Sequence, residues 1–279
     1  MRPPPTTARR LTTRSNQGGH VRVGVVGAAG RMGREVCRAV AASDDLTLVA
    51  AVDPSASGQR LAELIGVETD VVVAAELDAV TAAEAEVAVE FTGPASVGDN
   101  LAWLLEQGVH AVVGATGLSD EALDRARELA QAGPANALVA PNFAIGAVLM
   151  MRFAAEAARH LPHVEVVELH HDGKLDAPSG TALRTAEWIA QARTQVPDAP
   201  LGDDQHPGAR GAQHAQVRIH SVRLPGLVAH QQVLFGGTGQ TLTLRHDSTD
   251  RSSFMPGVLL ACREVPRLDG LLVGLEHLL

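Results

Sequence analysis

The stretch Val21-Arg-Val-Gly-Val-Val-Gly-Ala-Ala-Gly-Arg-Met-Gly33 decides the fold of this chain of 279 residues. Its first six residues are rich in valine and predict a strand, which a glycine turn follows at once. The next segment, Arg34 to Ala42, has valines on one face and predicts a helix. A second strand, Leu46 to Val52, ends in Asp53. Strand, glycine turn, helix, strand and acid in this order predict a βαβ unit that binds a dinucleotide.

The glycine turn has the residue types that a pyrophosphate needs. Gly27 permits a tight turn and a close backbone approach, and the helix start offers amide donors at a positive dipole end. The spacing is Gly-x-x-Gly-x-x-Gly rather than the commoner Gly-x-Gly-x-x-Gly, so a purely structural turn is the alternative. Asp53 lies twenty residues beyond Gly33 and is expected to accept hydrogen bonds from the adenosine ribose. Arg31 is expected to reach a phosphate, or else to lie in solvent.

Strands and helices continue to alternate as far as Phe143. This alternation predicts a parallel, doubly wound sheet of the Rossmann type, and therefore an α/β fold class. Ligands of such sheets bind outside the carboxyl ends of the strands, where this chain has glycine, threonine and asparagine. The expected strands are Glu86 to Phe91, Val109 to Val113 and Ala137 to Ala140, and the expected helices are Ser96 to Gln107 and Ser119 to Ala130.

Lys174 is the only lysine among 23 basic residues, and two histidines precede it. A predicted helix from Ile145 to His160 leads to a strand, Val164 to Leu169, which delivers His170 and His171 at its end. Successive strand residues point to opposite faces, so the two histidines cannot do the same job in an unbroken strand. Lysine can exchange its proton and arginine cannot, so this cluster indicates proton transfer or anion binding. Chance placement of the last lysine is the alternative.

Pro178-Ser-Gly-Thr181 opens a further predicted helix, which ends near Ala192. Ser179 fits as its N-cap, and the amides of Gly180 and Thr181 lie in the first turn, where they have no partner inside the helix. Such a helix start binds carboxylates well. The whole segment therefore suits a small dianionic substrate that must accept a proton.

A zinc site is the alternative reading of the histidines at positions 160, 163, 170 and 171. Structural zinc sites combine cysteine and histidine, and catalytic sites add a carboxylate. Leu161-Pro162 separates His160 from His163 and predicts a loop there. No cysteine or acid with ligand spacing joins the histidines, so we expect no metal.

The rest of the chain predicts a second, α+β domain with a mixed or antiparallel sheet. Proline, glycine and aspartate are frequent between Ala199 and Gln216, which predicts a long loop. Three strands then look antiparallel, and a last strand, Leu271 to Leu275, is expected to return to the first domain. We expect a dinucleotide-binding domain over residues 21–143, completed by about 253–279, and a substrate-binding and oligomerisation domain over 144–252. The three strands are Val217 to Leu224, Ala229 to Phe235 and Gln240 to His246, and the helix after them is Ser252 to Val265.

The composition disfavours several classes of partner. A net charge of −9, with five Phe, two Trp and no Tyr, argues against nucleic-acid binding. No apolar run approaches the roughly eighteen residues that a membrane span needs. Two cysteines are too few for a disulfide framework, which favours the cytoplasm. Residues 1–20 contain four arginines and no acid, and predict a disordered basic tail. Their composition resembles a transit peptide only weakly, and a mis-assigned start codon explains it as well.

The segment His170-His-Asp-Gly-Lys-Leu-Asp-Ala-Pro-Ser-Gly-Thr181, with Gly27 to Gly33 upstream, resembles the 4-hydroxy-tetrahydrodipicolinate reductase (dihydrodipicolinate reductase) family. The resemblance runs from about Val21 to the C-terminus, and Pro141-Asn142-Phe143 and His246-Asp247 to Phe254 also match. It implies that NADH or NADPH delivers a hydride to a cyclic unsaturated imine dicarboxylate, after water is lost from the 4-hydroxy substrate. That reaction serves the diaminopimelate route to lysine. The family is typically a cytoplasmic homotetramer assembled through the sheet of its second domain.

The resemblance also implies roles for individual residues. His170 is implied as the catalytic proton donor or acceptor, and Lys174 as a second proton donor. His171, Gly180 and Thr181 are implied to hold the substrate carboxylates. The residues implied to line the cofactor are Gly27, Ala28, Ala29, Gly30, Arg31, Met32, Asp53, Gly114, Ala115, Thr116, Ala140, Pro141, Asn142 and Phe143.

Two positions depart from the family pattern. Ala115 stands where the family usually has threonine, which removes one hydroxyl near the nicotinamide. Pro54 follows the ribose acid, where some members have arginine. Asp53 and Pro54 therefore offer nothing to pair a 2′-phosphate, and the carboxylate repels it. We expect a preference for NADH, with Arg31 allowing some use of NADPH.

Two other functions remain open at this point. One is another two-domain Rossmann dehydrogenase of amino-acid biosynthesis, such as aspartate-semialdehyde or homoserine dehydrogenase. The former needs a cysteine nucleophile, whereas Cys37 and Cys262 lie inside predicted helices. The other is a non-catalytic NAD(H)-sensing protein, which would need no cluster of two histidines and a lysine.

Overall fold

The computed structural model describes residues 20–115, 117–196 and 204–279. The predicted basic tail lies outside the described residues, except for its last residue. The chain divides into two compact units, one running up to Pro141 with Val258–Gly274, and one comprising Asn142–Gly257 with Leu275–His277. None of the helices in the described part of the chain is both long and apolar enough to cross a membrane.

The helices and strands are numbered in chain order. The strands are β1 (Val21–Val26), β2 (Leu46–Val52), β3 (Val87–Glu90), β4 (His110–Val113), β5 (Ala137–Val139), β6 (His163–His170), β7 (Ala212–His214), β8 (Val217–Arg223), β9 (Ala229–Gly237), β10 (Gln240–Ser248) and β11 (Leu271–Val273). The helices are α1 (Arg31–Ala41), α2 (Leu61–Ile65), α3 (Asp78–Ala82), α4 (Val97–Glu106), α5 (Asp120–Ala132), α6 (Ile145–Ala158), α7 (Gly180–Ala192) and α8 (Met255–Glu264). Short 3-10 helices cover Pro54–Ala56, Arg251–Phe254, Val265–Arg267 and Leu275–Leu278.

The first unit contains a six-stranded parallel sheet in the order β11-β5-β4-β3-β1-β2. Every residue of β3 and β5 is buried, as expected of parallel strands that are covered on both faces. Helix α4 packs Leu101, Leu104 and Leu105 into the core of this unit. The predicted doubly wound parallel sheet is confirmed, and the predicted last strand does return to it as β11.

The first helix begins three residues earlier than predicted. Gly30 has an extended backbone and forms its N-cap, so α1 starts at Arg31 inside the glycine turn. Three further helical segments, Pro54–Ala56, α2 and α3, were not predicted at all. Each has only three to five residues, which is too short to display a helical period in the sequence.

The second unit contains a five-stranded mixed sheet in the order β10-β9-β6-β8-β7. Strand β6 pairs antiparallel with β9 and parallel with β8. Strands β8, β9 and β10 run antiparallel to one another in turn, as predicted, but the sequence did not indicate that β6 lies between β8 and β9. Strand β7 was also missed, because it lies within the predicted loop of residues 199–216, of which 199–203 are outside the described residues.

The end of β6 shows how β8 and β9 come to lie on either side of this strand. The Leu224 amide donates to the His170 carbonyl at 3.1 Å, and the His171 amide donates to the Val228 carbonyl at 3.4 Å. The segment between β8 and β9 therefore crosses the end of β6 instead of closing a hairpin. Pro225-Gly226 marks a turn in the sequence, but a turn signal does not show what lies between the two strands that it joins.

Gly33 is expected to be essential for the packing of α1 against the glycine turn. A Cβ added there would lie 2.0 Å from the Gly27 carbonyl oxygen and 2.8 Å from the Ala28 Cα, which are backbone atoms that cannot rotate away. Gly33→Ala should therefore lower the free energy of unfolding by about 1–3 kcal/mol, despite the better helix propensity of alanine. Urea unfolding measures this change.

The matched control is Gly98→Ala inside α4. Its added Cβ would meet only side-chain atoms, the Ala122 Cβ at 3.2 Å and the Leu118 Cδ2 at 4.0 Å. This variant should lose less stability than Gly33→Ala. Equal losses in the two variants would show that the close approach at Gly33 is unimportant.

Candidate active site

The glycine turn after β1 lies directly against its neighbouring strands. Gly27 has a φ of +81°, and its amide donates to the Val52 carbonyl at 2.8 Å. A Cβ at this position would lie 2.8 Å from the Phe91 carbonyl oxygen. Both the backbone conformation and the close approach require glycine here. The turn therefore presents bare backbone at the carboxyl end of β1.

Asp53 is tied to this turn. The Ala29 amide donates to Oδ2 of Asp53 at 3.0 Å, while Oδ1 accepts from the amide and the hydroxyl of Ser55 at 3.0 and 2.6 Å. The structure thus brings the predicted ribose acid and the predicted pyrophosphate turn together. Helix α1 starts beside them with Gly30 as its N-cap, so no side chain caps its first amides. Gly30 and Arg31 are exposed, Met32 is half-buried and Ala28 is buried.

Further predicted cofactor residues follow other strands of the same sheet. Gly114 and Ala115 come directly after β4, and the Gly114 amide donates to the Glu90 carbonyl at 3.0 Å. Thr116 lies outside the described residues. Ala140 follows β5, is buried, and donates its amide to the Val113 carbonyl at 3.0 Å. Because parallel strands end at one edge, these residues share the edge where such folds bind their ligands.

The last predicted cofactor residues are divided between the two units. Pro141 ends the first unit and is exposed, whereas Asn142 and Phe143 begin the second. Phe143 is buried. The Asn142 carbonyl oxygen Oδ1 accepts from the Ala144 amide at 2.9 Å, and its Nδ2 lies 3.3 Å from Oγ1 of Thr181. Asn142, which was predicted to line the cofactor, therefore contacts Thr181, which was predicted to bind the substrate, within the second unit.

A buried carboxylate lies beneath His170 at the end of β6. Glu168 has no exposed surface, and its Oε2 lies 2.5 Å from Nδ1 of His170. Arg223 donates to both carboxylate oxygens at 2.9 Å, and the Ser179 amide donates to Oε1 at 3.3 Å. Burial by itself raises the pKa of Glu168, but the hydrogen bonds from His170 and Arg223 outweigh it and lower the pKa to about 2. The carboxylate is therefore ionised at neutral pH.

The lone lysine lies in the segment between β6 and α7. Its Nζ donates to Oδ1 of Asp176 at 2.7 Å, and its amide donates to the His171 carbonyl at 3.2 Å. The hydrogen bond from Lys174 lowers the pKa of the Asp176 carboxyl. Arg223 also donates to the Asp176 carbonyl at 2.5 Å. His171 itself is exposed, in contrast to the half-buried His170.

Helix α7 begins as predicted. The Ser179 hydroxyl accepts from the Ala182 amide at 3.3 Å, which confirms Ser179 as the N-cap. Gly180 is exposed, and Thr181 is half-buried. Their amides lie in the first turn of the helix, where no acceptor within the helix is available. They can therefore bind an anionic group of a ligand.

Sequence reasoning missed two members of this cluster. Glu168 stands two residues before His170 in a strand, so both side chains lie on one face, and an acid that follows two valines on that face was a usable signal. Arg223 lies 55 residues further along the chain, and nothing in the local sequence marks it. Strand register brings it to the site, because Arg223 is the β8 partner of His170.

The zinc alternative does not fit the geometry. His163 and His170 begin and end β6, which separates them by roughly 23 Å at the usual rise per strand residue. His160 precedes the strand and pairs with Glu156. The described residues contain no group of three or more potential ligands that could hold a metal ion.

Neither cysteine fits a catalytic nucleophile. Cys37 lies in α1 and Cys262 in α8, and both are fully buried. Burial raises the pKa of each thiol to about 12, so both stay protonated at neutral pH. An aspartate-semialdehyde dehydrogenase that uses a cysteine is therefore excluded.

The ionised Glu168 is expected to stabilise the fold in a pH-dependent way. Its pKa is lower in the folded chain than in the unfolded one, so its contribution is complete above about pH 4.5 and is lost as the pH falls toward 2. Glu168→Gln should therefore lower the free energy of unfolding at pH 7 and reduce its fall over this pH range. Urea unfolding at a series of pH values measures both effects. Glu128→Gln on the exposed face of α5 should keep the wild-type pH dependence, and an unchanged dependence in Glu168→Gln would contradict the expectation.

Comparison with known proteins identifies the family of this chain. The model "Dihydrodipicolinate reductase, N-terminus" matches residues 21–143, and "Dihydrodipicolinate reductase, C-terminus" matches residues 146–279. The 4-hydroxy-tetrahydrodipicolinate reductase of Mycolicibacterium vanbaalenii is 51% identical over 93% of this chain and 99% of its own length. That of Nocardia farcinica is 52% identical over 93% of this chain and 98% of its own length.

A solved structure agrees with these relatives. Dipicolinate-bound dihydrodipicolinate reductase from Paenisporosarcina sp. TG-14 matches with a TM-score of 0.83 at 43% identity, over 93% of this chain and all of that chain. The amine dehydrogenase of Mycobacterium smegmatis matches with a TM-score of 0.65 at 15% identity, which shows a shared fold alone. The two matching domain models and these relatives together show that the chain belongs to the dihydrodipicolinate reductase family.

Proposed function

We propose that this protein reduces 4-hydroxy-tetrahydrodipicolinate, via dihydrodipicolinate, to tetrahydrodipicolinate with NADH or NADPH, in the diaminopimelate route to lysine. Membership of the family supports this reaction. The observation that carries it is the cluster at the end of β6, where His170 lies against a buried carboxylate near the Gly180 and Thr181 amides at the start of α7. A proton donor beside an anion-binding helix start is what the reduction of an anionic ring compound needs.

The first unit would hold the cofactor. The glycine turn offers bare backbone and an uncapped helix start to the pyrophosphate, and Asp53 is positioned by Ala29 and Ser55 to accept from a ribose. When bound, the cofactor supplies the hydride. The residues proposed to line it are Gly27, Ala28, Ala29, Gly30, Arg31, Met32, Asp53, Gly114, Ala115, Thr116, Ala140, Pro141, Asn142 and Phe143.

The second unit would hold the substrate. The amides of Gly180 and Thr181 would bind one carboxylate, and the exposed His171 would bind the other. The Paenisporosarcina relative is bound to dipicolinate, a ring dicarboxylate, which supports a substrate of this class. The reduction consumes one hydride and one proton, and the preceding loss of water takes up one proton on the departing hydroxyl group and releases one from the ring. His170 would supply or accept a proton at Nε2, since its Nδ1 faces Glu168, and Lys174 would supply a second proton from Nζ.

The remaining proposals concern the domain bounds, the assembly and the location of the protein. Residues 21–143, completed by about 253–279, would form the dinucleotide-binding domain, and residues 144–252 the domain for substrate and assembly. The first five residues of β10 include four exposed ones, with Leu242 among them, and such a strand favours assembly through this sheet. We propose a cytoplasmic homotetramer that uses no metal.

His170 and Lys174 are expected to be required for turnover. The assay follows NADH oxidation with substrate freshly made by the preceding enzyme of the route. His170→Ala and Lys174→Ala should each lower kcat by about 10²-fold to 10⁴-fold, the usual contribution of a proton-transfer group. His160→Ala changes an exposed histidine before β6 and should keep wild-type activity. A wild-type protein that does not oxidise NADH with this substrate would reject the proposed function.

Lys174→Arg separates the proton of Lys174 from its charge. Arginine keeps the positive charge but cannot donate a proton at working pH. A proton donor at this position predicts that Lys174→Arg is as inactive as Lys174→Ala. Near-wild-type kcat in Lys174→Arg would instead assign Lys174 a purely electrostatic role.

The wild-type enzyme is expected to have a higher kcat/KM with NADH than with NADPH. The Asp53 carboxylate would repel a 2′-phosphate, and Pro54 offers no donor to it. Asp53→Asn removes the charge but retains an acceptor for the Ala29 amide, so the preference for NADH should fall by about tenfold. Glu128→Gln makes the same charge change on α5 and should leave the ratio unaltered. A wild-type preference for NADPH would contradict the assignment.

A further inference from the structure

We propose that Glu168 and Arg223 are positioning residues for the proposed reaction. Glu168 holds the neutral His170 ring with its proton on Nδ1 and its Nε2 free for the substrate. Arg223 neutralises Glu168 and at the same time fixes the segment that carries Lys174. This inference rests on the proposed function and adds the device that sets its two proton-transfer groups.

The donors around Glu168 determine the protonation of His170. Oε1 accepts from the Ser179 amide and from one Arg223 nitrogen, and Oε2 accepts from the other Arg223 nitrogen. An ionised carboxylate can only accept hydrogen bonds. The nitrogen of His170 that lies 2.5 Å from Oε2 must therefore carry the hydrogen. Nε2 is left as the atom that can take up or release a proton.

The burial of Glu168 makes its hydrogen bond with His170 difficult to replace. Glu168 has no exposed surface, so water cannot replace a lost donor. A buried charge is tolerated only when it is paired and its acceptor sites are filled. The ring of His170 supplies one of these donors, so rotation of the ring away from Glu168 would leave the carboxylate less satisfied.

Arg223 connects the same carboxylate to the lysine segment. Beyond its two bonds to Glu168, it donates to the Asp176 carbonyl at 2.5 Å. The side chain of Asp176 in turn accepts from Nζ of Lys174 at 2.7 Å. One planar guanidinium thus bonds both the group beneath His170 and the backbone two residues after Lys174. Lysine in its place could not make these divergent bonds.

A second acid–histidine pair, which joins β6 to β8, provides a control. Oε2 of Glu165 lies 2.7 Å from Nε2 of His220 on β8. This pair lies on the opposite face of the strand, and the Glu165 side chain is 47% exposed. Like Glu168 and His170, the pair joins a glutamate to a histidine in this sheet. Its carboxylate is not buried, and it makes no described contact with the lysine segment.

The test measures the tautomer of His170 and the kinetics of the full-length protein in parallel. Nitrogen-15 shifts of the histidine rings should assign neutral His170 of the wild type to the Nδ1–H form. In Glu168→Gln only one acceptor oxygen remains, and it is expected to face the Ser179 amide and one Arg223 nitrogen. The side-chain NH₂ then donates to Nδ1 and shifts His170 to the Nε2–H form. We expect kcat to fall by about 10²-fold or more, with KM changed by no more than a few-fold.

Two further variants complete the design. Glu165→Gln should keep both the His170 tautomer and the kcat of the wild type. Arg223→Lys retains the positive charge, so it should keep the Nδ1–H tautomer while lowering kcat by about tenfold through the lysine segment. Arg223→Lys with wild-type kcat would refute the role of Arg223.

The outcomes for Glu168 are equally distinct. If the nitrogen-15 shifts of the wild-type protein show neutral His170 in the Nε2–H form, the proposal is refuted without any variant. If Glu168→Gln folds and keeps both the wild-type tautomer and kcat, the positioning role is refuted. The nitrogen-15 shifts of the His170 ring are measured without substrate. A wild-type protein that fails to turn over dihydrodipicolinate would therefore reject the proposed function, while the tautomer of His170 would still decide this inference.

Discussion

The second unit depends on one buried charge. Glu168 is ionised, wholly enclosed, and satisfied by groups from three places in the chain. Its own strand supplies His170, strand β8 supplies Arg223, and the start of α7 supplies the Ser179 amide. An uncompensated charge at this depth would destabilise the fold by several kcal/mol, on the order of 3–5. The register of β6 against β8 and the position of α7 are therefore coupled to the same carboxylate that lies beneath His170.

The corresponding constraint in the first unit is steric. The backbone at Gly27 approaches β3 closely, and α1 packs so near the turn that Gly33 has no room for a side chain. Asp53 then fixes the turn through the Ala29 amide. The consequence is a turn held by backbone contacts beside a helix start that no side chain caps. In both units the candidate binding groups are held by contacts that also maintain the fold.

Much of this arrangement was predictable from the sequence. The fold class and the family are both confirmed, because each depends on local signals: alternating strands and helices, a glycine turn with an acid at the right distance, and an unusually specific motif from His170 to Thr181. The N-cap at Ser179 is confirmed for the same reason, since a cap and its helix are neighbours in the chain. The sequence failed where the relevant neighbour is distant, since nothing in it indicated that β6 lies between β8 and β9. It also failed for helices of three to five residues, which are too short to show a period.

The lone lysine illustrates the division between the two sources of information. The sequence alone determined that Lys174 is the single titratable amine of a side chain, that it follows two histidines and that it precedes a helix start suited to a carboxylate. Tertiary structure decided which histidine lies on a buried acid, and that Arg223, 49 residues after Lys174, connects that acid to the lysine segment. Local hydrogen bonds and periodicity are encoded by adjacent residues and can be read from them. The partner of a buried charge such as Glu168 is determined by the strand register, which brings distant residues into contact. The residues adjacent to it in the sequence do not indicate which residue that partner is.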